Sequence, residues 1–337
     1  MIKNIFFFIK FIKTISIYKI FIIILLYTNF NTAISNDNLD YDKWLINLRI
    51  ESLKQGISPE IFDNAMKSVK IIKKINQLDA KQPEKKITFK EYLNRTVSKK
   101  RIELGKINYL KFKKQLDEIS LIYKVQPRFI VAIWGIETNY GSYTGNFPVI
   151  SALTTLAYKG RRSNFFRKQL IAALHILNNG NIELKNMHGS WAGAMGQSQF
   201  MPTSYLKYAQ DFDNDGKKDI WNNKLDIFAS IAFYLKSHGW DNNRTWGREV
   251  IVPDSLLKNK DFLNLKNKTL KFWSDKNILM LNRNKLPKIN LKANIIIPDS
   301  TSNKTFLIYN NYTKIKKYNN SNYYALSVGI LSDRIAN

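Results

Sequence analysis

Cysteine is absent from the 337 residues of this chain. The absence excludes disulfide bonds, thiolate metal sites and lipid attachment to an N-terminal cysteine. Only three histidines occur (His175, His188 and His238), which argues against a metal site built from imidazoles. The sequence also lacks a G-x-S-x-G elbow, and its histidines have no catalytic partners at a recognisable spacing. Ser-His-Asp catalysis therefore finds little support.

Acidic residues are also scarce, with 26 Asp and Glu against 53 Lys and Arg, and the formal net charge is +27. A surface of this kind favours polyanions such as nucleic acid, anionic lipid or an acidic wall polymer. Much of the excess is lysine scattered among asparagine and isoleucine, which is typical of a composition bias. We therefore predict no nucleic-acid partner from charge alone.

Residues 1–35 have the pattern of an export signal. Lysines come first, an apolar run from Ile20 to Tyr27 follows, and Ala33-Ile34-Ser35 is a small-x-small cleavage site. The apolar run is short for a membrane span, so we predict cleavage after Ser35, with an uncleaved anchor as the alternative. Export without cysteine suggests the periplasm of a Gram-negative bacterium.

The rest of the chain is predicted to be mainly helical, with a small β-rich element before the last helix. Helical periodicity begins at Tyr41, Ser58-Pro59-Glu60 opens a second helix, and one helix is predicted from Lys90 to Leu116, after an irregular charged stretch at 71–90. After Arg248, three β-rich runs are separated by polar turns: Val250–Val252, Ala293–Pro298 and Thr305–Tyr309. The chain closes with a helix from Tyr323 to Ile335.

Glu137 lies within the stretch PRFIVAIWGIETNYG, from Pro127 to Gly141. Pro127 suits a first helical turn, and Ile130, Ile133, Trp134 and Glu137 share one face, so the carboxyl group lies on the apolar stripe. Desolvation would raise the pKa of this group, as a general acid requires. The alternative is a structural glutamate paired with a buried arginine or with backbone amides. No second acid is fixed nearby by spacing, although most glycosidases use two carboxylates.

A stretch from Gly189 to Pro202, GSWAGAMGQSQFMP, is dense in small residues. Small residues let the backbone approach a ligand closely, while Ser190, Gln197 and Gln199 offer neutral hydrogen bonds. Trp191 and Phe200 offer faces for sugar rings. The alternative is a tightly packed turn between helices.

The stretch from Asp211 to Asp219, DFDNDGKKD, fits the start of an EF-hand loop. Carboxylates stand at positions 1, 3, 5 and 9, and Gly216 stands at position 6. Position 12 is Asn222 instead of glutamate, so Asp226 would have to close a longer loop. The alternative is an acidic turn that binds no cation.

Four segments together resemble the membrane-bound lytic transglycosylase B family. They are GIETNYG around Glu137, GAMGQSQFMPTSY (Gly193–Tyr205), DFDNDGKKDIW (Asp211–Trp221) and the terminal YNNSNYYALSVGILSDRI. The order and spacing match from about residue 40 to the C-terminus. The resemblance implies an α+β, mainly helical fold: a lysozyme-like catalytic core (117–248) containing the EF-hand-like loop (211–226), an α-rich flanking part (36–116), and a β-rich element with the C-terminal helix (249–337).

The resemblance also implies a reaction and a set of site residues. The family cleaves the MurNAc–GlcNAc bond of peptidoglycan without water and leaves a 1,6-anhydro-MurNAc end. Glu137 matches the catalytic acid, and the metal loop would hold a structural Ca²⁺ through Asp211, Asp213, Asp215, the Lys217 carbonyl and Asp226, with no cofactor for catalysis. The residues implied in substrate binding are Tyr92, Ser190, Gln197, Tyr234, Tyr318, Asn319 and Tyr324.

We therefore expect a monomeric periplasmic enzyme that acts on peptidoglycan glycan strands, with membrane association only through an uncleaved N-terminal segment. The lipoprotein members of the family need an N-terminal cysteine, which this chain lacks. Two alternatives stay open at this stage: a hydrolytic muramidase, and a catalytically silent peptidoglycan-binding protein.

Overall fold

The computed structural model describes residues 39–80 and 87–336. The predicted export signal at 1–35 and its cleavage site lie outside these residues. Within them, no single helix has the length and hydropathy to cross a membrane, and one sharply bent pair, Lys113–Tyr123 with Pro127–Thr138, passes that test only when the two helices are joined.

The chain forms two compact units, one up to Asp63 and one from Asn64 onward. The described part of the first unit is a helix over 39–54 (α1) and the start of α2 (Pro59–Lys67), which crosses the boundary between the units. Arg49 in α1 pairs with Asp63 in α2 at 2.8 Å. As predicted, Ser58 opens α2, because its Oγ accepts the Ile61 N–H at 3.3 Å.

The second unit contains the remaining elements in a helical frame with two small sheets. Its elements are α3 (Lys73–Ala80), α4 (Phe89–Thr96), α5 (Lys99–Lys111), α6 (Lys113–Tyr123), α7 (Pro127–Thr138), β1 (Phe147–Pro148), α8 (Val149–Lys159), α9 (Ser163–Asn178), a 3₁₀ turn (Leu184–Asn186), β2 (His188–Gly189), α10 (Pro202–Tyr208), α11 (Lys224–Ser237), β3 (Gly247–Ile251), α12 (Asp254–Leu257), α13 (Lys260–Leu263), β4 (Lys268–Thr269), α14 (Leu270–Asp275), β5 (Leu279–Met280), β6 (Lys292–Ile296), β7 (Thr305–Ile308), α15 (Asn310–Tyr318) and α16 (Asn322–Ala336).

The prediction of one helix from Lys90 to Leu116 is wrong, because the chain breaks at Val97–Ser98 and at Phe112 and the stretch is shared by α4, α5 and α6. Thr88 and Glu91 form a capping box at the start of α4. Ser98 accepts the Arg101 N–H at 3.3 Å and starts α5 as a new helix. The stretch predicted to be irregular, 71–90, contains the helix α3.

Helix α7 forms the centre of the second unit. All of its residues from Phe129 to Gly135 are buried. The apolar pattern around Glu137 predicted burial for only one face of this helix. Helices α5, α6, α11 and α16 pack against it. Because these helices enclose α7 on nearly all sides, the close packing fixes the environment of a polar group at its end.

Close packing of α5, α7 and α16 depends on glycine at two positions. A Cβ on Gly105 of α5 would lie 2.5 Å from the Tyr140 hydroxyl oxygen and 2.7 Å from Ile335 Cγ1. A Cβ on Gly135 of α7 would lie 2.6 Å from the Tyr140 ring. Tyr140 therefore fills the space that these glycines leave open.

The predicted β-rich element is a five-stranded antiparallel sheet in the order β4-β6-β7-β3-β5. Its strands confirm the three predicted runs, and α15 and α16 follow it. Trp273, Ile295 and Leu307 are among the residues of its separate apolar core. The mainly helical α+β class is thus confirmed, while the predicted boundaries at 116 and 248 stay predictions.

Candidate active site

Glu137 is the penultimate residue of α7, and the helix ends there for a local reason. Asn139 and Tyr140 both adopt left-handed backbone conformations, with φ of 50° and 60°, and Gly141 follows with φ of 81°. The Thr138 hydroxyl also accepts the Gly141 N–H at 3.0 Å. This turn directs the chain away from the helix axis immediately after Glu137.

The carboxyl group of Glu137 accepts one strong hydrogen bond. The Tyr324 hydroxyl of α16 donates to Glu137 Oε1 at 2.6 Å. Burial raises the Glu137 pKa to about 7, and the Tyr324 bond opposes this rise because it stabilises the carboxylate. A carboxyl group with this pKa carries a proton in a large fraction of molecules at neutral pH and can then accept one back.

No second carboxylate contributes to the Glu137 pKa within the described residues, where burial and the Tyr324 hydroxyl are its causes. A buried arginine, the partner that the alternative explanation requires, is not among these causes either. The alternative of a structural, ion-paired glutamate therefore has no support in this arrangement.

Tyrosines form the surroundings of Glu137. Burial raises the pKa of Tyr92, Tyr318 and Tyr324, and the charge of Glu137 raises each of them further. The Tyr318 hydroxyl donates to the Ser198 carbonyl at 2.6 Å. The structure thus brings Tyr92 of α4 to Glu137 together with Tyr318 and Tyr324, which lie more than 220 residues later on the consecutive helices α15 and α16.

Tyr234 lies one layer further from Glu137. Its ring centroid is 4.7 Å from that of Tyr318, and its hydroxyl donates to the Lys317 carbonyl at 2.5 Å. Tyr234 is 8% exposed, so its hydroxyl group donates its hydrogen bond to the protein backbone and not to solvent. Asn319 follows Tyr318 and is exposed.

Gln197 is buried within the wall behind this site. Its Oε1 accepts from Trp134 Nε1 at 2.8 Å, and its Nε2 donates to the Trp221 carbonyl at 2.6 Å. The side chain is 5% exposed, so substrate binding by Gln197 stays a prediction that these contacts do not support. Its amide instead ties α7 to the segment before α11.

Ser190 has a local partner in the glycine-rich stretch. Its Oγ accepts the Ala194 N–H at 3.0 Å and closes a tight turn. In addition, a Cβ on Gly145 would lie 2.2 Å from the Gly189 carbonyl oxygen. The loop after α7 and the glycine-rich stretch therefore approach each other as closely as backbones allow. Ser190 as a ligand-binding residue stays a prediction.

Sequence reasoning missed Tyr140 and Arg101. The Tyr140 hydroxyl donates to the Arg101 carbonyl at 2.7 Å, and its ring meets Trp134 edge to face at 5.3 Å. Arg101 in turn donates to the Thr96 carbonyl at 2.7 Å and joins α4 to α5. Asn139 and Gly141 predicted the end of a helix. Nothing in the residue spacing indicated that the side chain of Tyr140, between them, would pack against Gly105 and Gly135.

The acidic loop contains a group of carboxylates that could hold a metal ion. One oxygen from each of Asp211, Asp213 and Asp226 lies within 4.8 Å of the others. Asp226 is fully buried at the start of α11 and accepts the Phe212 and Asp219 N–H groups at 2.8 and 2.7 Å. Burial raises its pKa to about 6, and the charges of Asp213 and Asp211 add to the rise. Like charges this close indicate a place for a cation.

The other predicted ligands are placed differently. Asp215 is not in the group of three, and its Oδ1 accepts the Lys217 N–H at 2.8 Å. Asp219 Oδ1 accepts the Trp221 and Asn222 N–H groups at 2.8 and 2.9 Å, so it closes a turn. Ligation by Asp215 and the Lys217 carbonyl stays a prediction.

Comparison with known proteins settles the family. Residues 40–333 match the model of the Transglycosylase SLT domain family. The chain belongs to this family. The resemblance inferred from the four segments is thereby confirmed.

Three relatives illustrate the similarity. The chain is 35% identical over 150 residues to the membrane-bound lytic murein transglycosylase B of Escherichia coli (strain K12); this stretch is 44% of the chain and 41% of that relative, less than two-thirds of its length. SltB3 from Pseudomonas aeruginosa, solved in complex with NAG-anhNAM-pentapeptide, is 39% identical with a TM-score of 0.82, covering 88% of this chain and 79% of that one. The E. coli lytic transglycosylase Slt35, solved in complex with calcium, shares the fold with a TM-score of 0.72 at 24% identity, covering 88% and 92%. The predicted lysozyme-like fold is confirmed.

The surroundings of Glu137 predict how its pKa responds to one substitution. Tyr324→Phe removes the hydrogen bond that stabilises the carboxylate but keeps the burial that disfavours it, so the Glu137 pKa should rise above about 7. NMR titration of the glutamate carboxyl carbons measures this, with Tyr143→Phe, at an exposed ring, as the control. A Glu137 pKa that stays constant or falls in Tyr324→Phe would contradict the described bond.

Proposed function

We propose that this protein is a lytic transglycosylase that cleaves the MurNAc–GlcNAc β-1,4 bond of peptidoglycan and leaves 1,6-anhydro-MurNAc ends. The observation that carries the proposal is the half-buried Glu137 carboxyl group, which accepts a hydrogen bond from Tyr324 and whose pKa burial raises to about 7 without the help of a second carboxylate. Hydrolysis usually needs a second carboxylate to activate water or to attack the sugar. A reaction in which the substrate supplies its own nucleophile does not.

In the first step, the protonated Glu137 gives its proton to the glycosidic oxygen as the bond from that oxygen to MurNAc C1 breaks. The GlcNAc side leaves as an alcohol, and Glu137 becomes a carboxylate. In the second step, the C6 hydroxyl oxygen of MurNAc forms a bond to C1, and its proton returns to Glu137. One bond breaks and one forms, no water is consumed, and the acid is regenerated without a cofactor.

The tyrosines have separable roles in this proposal. Tyr324 holds Oε1 of Glu137 and keeps the carboxyl group in one orientation. Tyr92 and Tyr318 form walls that keep water from the carboxyl group and give flat faces to sugar rings. Tyr234 supports Tyr318 from behind. Asn319 and Ser190 complete the proposed substrate contacts.

We also propose a structural Ca²⁺ in the acidic loop. Asp211, Asp213 and Asp226 supply carboxylate oxygens, which are ligands that Ca²⁺ prefers. Asp215 and the Lys217 carbonyl would complete the shell. The ion would neutralise a group of like charges that otherwise destabilises the fold and would hold the loop against α11.

The proposed place of action is the periplasm, where peptidoglycan is the substrate. Residues 1–35 provide export, and the protein acts as a monomer. Because the chain has no cysteine, any membrane association would use an uncleaved N-terminal segment instead of an attached lipid.

Replacing the acid tests the proposed reaction. Glu137→Gln keeps the shape of the side chain and loses the transferable proton, so lysis of purified sacculi should fall by roughly 10²-fold or more. Turbidity measures the rate, and circular dichroism checks the fold. The matched control is Glu118→Gln, which removes an exposed carboxyl group on α6 and should leave the rate unchanged. Lysis at the wild-type rate by folded Glu137→Gln would exclude Glu137 as the acid. If the wild-type protein binds sacculi without lysing them, it is a catalytically silent peptidoglycan-binding protein.

Removing the closing carboxylate tests the metal loop. Binding to the native state raises stability by mass action, so the melting temperature should climb with free Ca²⁺ and fall with chelator. Asp226→Asn should flatten this dependence, because the buried charge is lost, whereas Asn222→Ala should leave most of it. Calorimetry at several Ca²⁺ concentrations gives the comparison. A melting temperature indifferent to both calcium and chelator would mean that the loop is only a turn.

A further inference from the structure

The loop between β6 and β7, residues 297–304, reaches from the β-rich element to the helices that carry the tyrosines around Glu137. Asp299 in this loop is half-buried, and its carboxylate accepts four hydrogen bonds, two on each oxygen. A carboxylate with this many donors is held in one orientation and in its ionised form.

The two oxygens of Asp299 have different partners. Oδ1 accepts the N–H and the hydroxyl of Thr301 at 2.9 and 2.8 Å and closes a turn within the loop. Oδ2 accepts the Phe89 N–H at 2.5 Å and the Tyr323 hydroxyl at 2.7 Å. Phe89 is the first residue of α4, and Tyr323 lies in the first turn of α16. One oxygen atom of the loop therefore joins the starts of two helices.

The charge state of this contact does not change near neutral pH. The pKa of Asp299 falls to about 2, chiefly because the Phe89 N–H donates to it and next because the Tyr323 hydroxyl does. Burial, with the bond to Asp299, raises the pKa of Tyr323 to about 12. Asp299 is therefore the acceptor and Tyr323 the donor whichever protonation state Glu137 has.

Aromatic contacts extend this junction to Tyr92. The ring centroid of Tyr323 lies 5.4 Å from that of Phe89 and 5.7 Å from that of Tyr92. At the other end of α4, the hydroxyl groups of Thr96 and Ser327 form a hydrogen bond at 3.2 Å. Helix α4 is thus joined to α16 at both ends, and Tyr92 lies between the two junctions.

The same two helix starts carry the tyrosines that surround the acid. Tyr324 follows Tyr323 directly, and its hydroxyl donates to Glu137 Oε1 at 2.6 Å. Tyr92 is close enough that the charge of Glu137 raises its pKa, after the larger effect of burial. The strength of a hydrogen bond depends steeply on its distance and angle. A contact that fixes the first turn of α16 therefore also fixes the bond from Tyr324 to Glu137.

We propose that Asp299 is a positioning residue for Glu137, because it holds the first turns of α4 and α16 together and so keeps Tyr324 and Tyr92 in place beside the acid. Asp299 acts through these residues and takes no part in the proton transfer. The placement stands on its own geometry, and only its effect on the rate rests on the proposed function.

The first measurement is the Glu137 pKa, from NMR titration of the glutamate carboxyl carbons. Asp299→Ala releases the start of α16 and weakens the Tyr324 bond, so the Glu137 pKa should rise, as in Tyr324→Phe. Combined with Tyr324→Phe, Asp299→Ala should add no further shift, because the bond through which it acts is already lost. The matched control is Asp275→Ala, which removes an exposed carboxylate of the same β-rich element, paired with Lys271 at 2.7 Å.

The second measurement is the rate of sacculus lysis. Asp299→Ala should lower it about tenfold, since a small displacement of positioning groups is costly in catalysis. Asp299→Asn keeps an oxygen that can accept both donors and should recover most of the rate. Tyr323→Phe keeps the ring contacts and loses only the hydroxyl, so it should raise the Glu137 pKa and lower the rate in the same directions. Asp275→Ala should lyse sacculi at the wild-type rate.

Four results would overturn the proposal: a Glu137 pKa that stays constant or falls in folded Asp299→Ala, an equal shift in Asp275→Ala, a full additional shift in the Tyr324→Phe background, or no recovery of the rate in Asp299→Asn. If Asp299→Ala does not fold, an unchanged Glu137 pKa in Tyr323→Phe overturns it instead. The pKa measurements need no turnover, so they test the position of Tyr324 by themselves. Failure of the proposed reaction would appear in the muropeptides that the wild-type protein releases and would leave these pKa shifts as they are.

Discussion

The hydrogen bond from Tyr324 to Glu137 is the interaction on which the rest of the site depends. Burial alone would hold the carboxyl group in its neutral form, and the 2.6 Å bond moderates this effect, giving a pKa of about 7. A group balanced in this way can give a proton and take it back within one reaction cycle. The bond also joins α7 to α16, so the proton chemistry and the packing of the core rest on the same contact.

The surrounding structure keeps that contact in place. Two consecutive left-handed residues end α7 just after Glu137, and the second of them, Tyr140, fills the space left by Gly105 and Gly135. Gln197 links α7 through Trp134 to the Trp221 carbonyl. Tyr140 and Gln197 both have hydrogen-bond partners inside the protein, which explains why an amide that first suggested ligand binding has a structural role.

The sequence predicted well those features that local patterns determine. The helix carrying Glu137 and the positions of the three β runs follow from periodicity and turn residues. The mainly helical α+β class follows from the same signals and from the family resemblance.

Other features depend on contacts between distant residues, and local patterns did not predict them. We predicted one helix from Lys90 to Leu116 because apolar residues recur through this stretch. That pattern gave no sign that Ser98 caps the start of a new helix. Gln197 looked like a ligand-binding amide, yet its partners Trp134 and Trp221 lie 63 and 24 residues away in the chain.

The most direct test of the account is the chemistry of the newly formed ends. Mass spectrometry of muropeptides released from purified sacculi by the wild-type protein distinguishes an anhydro end from a reducing end by the mass of one water. Because a single carboxyl group serves as acid and then as base for the C6 hydroxyl, the account predicts 1,6-anhydro-MurNAc ends. Release of reducing MurNAc ends alone would contradict it and would make the protein a hydrolytic muramidase.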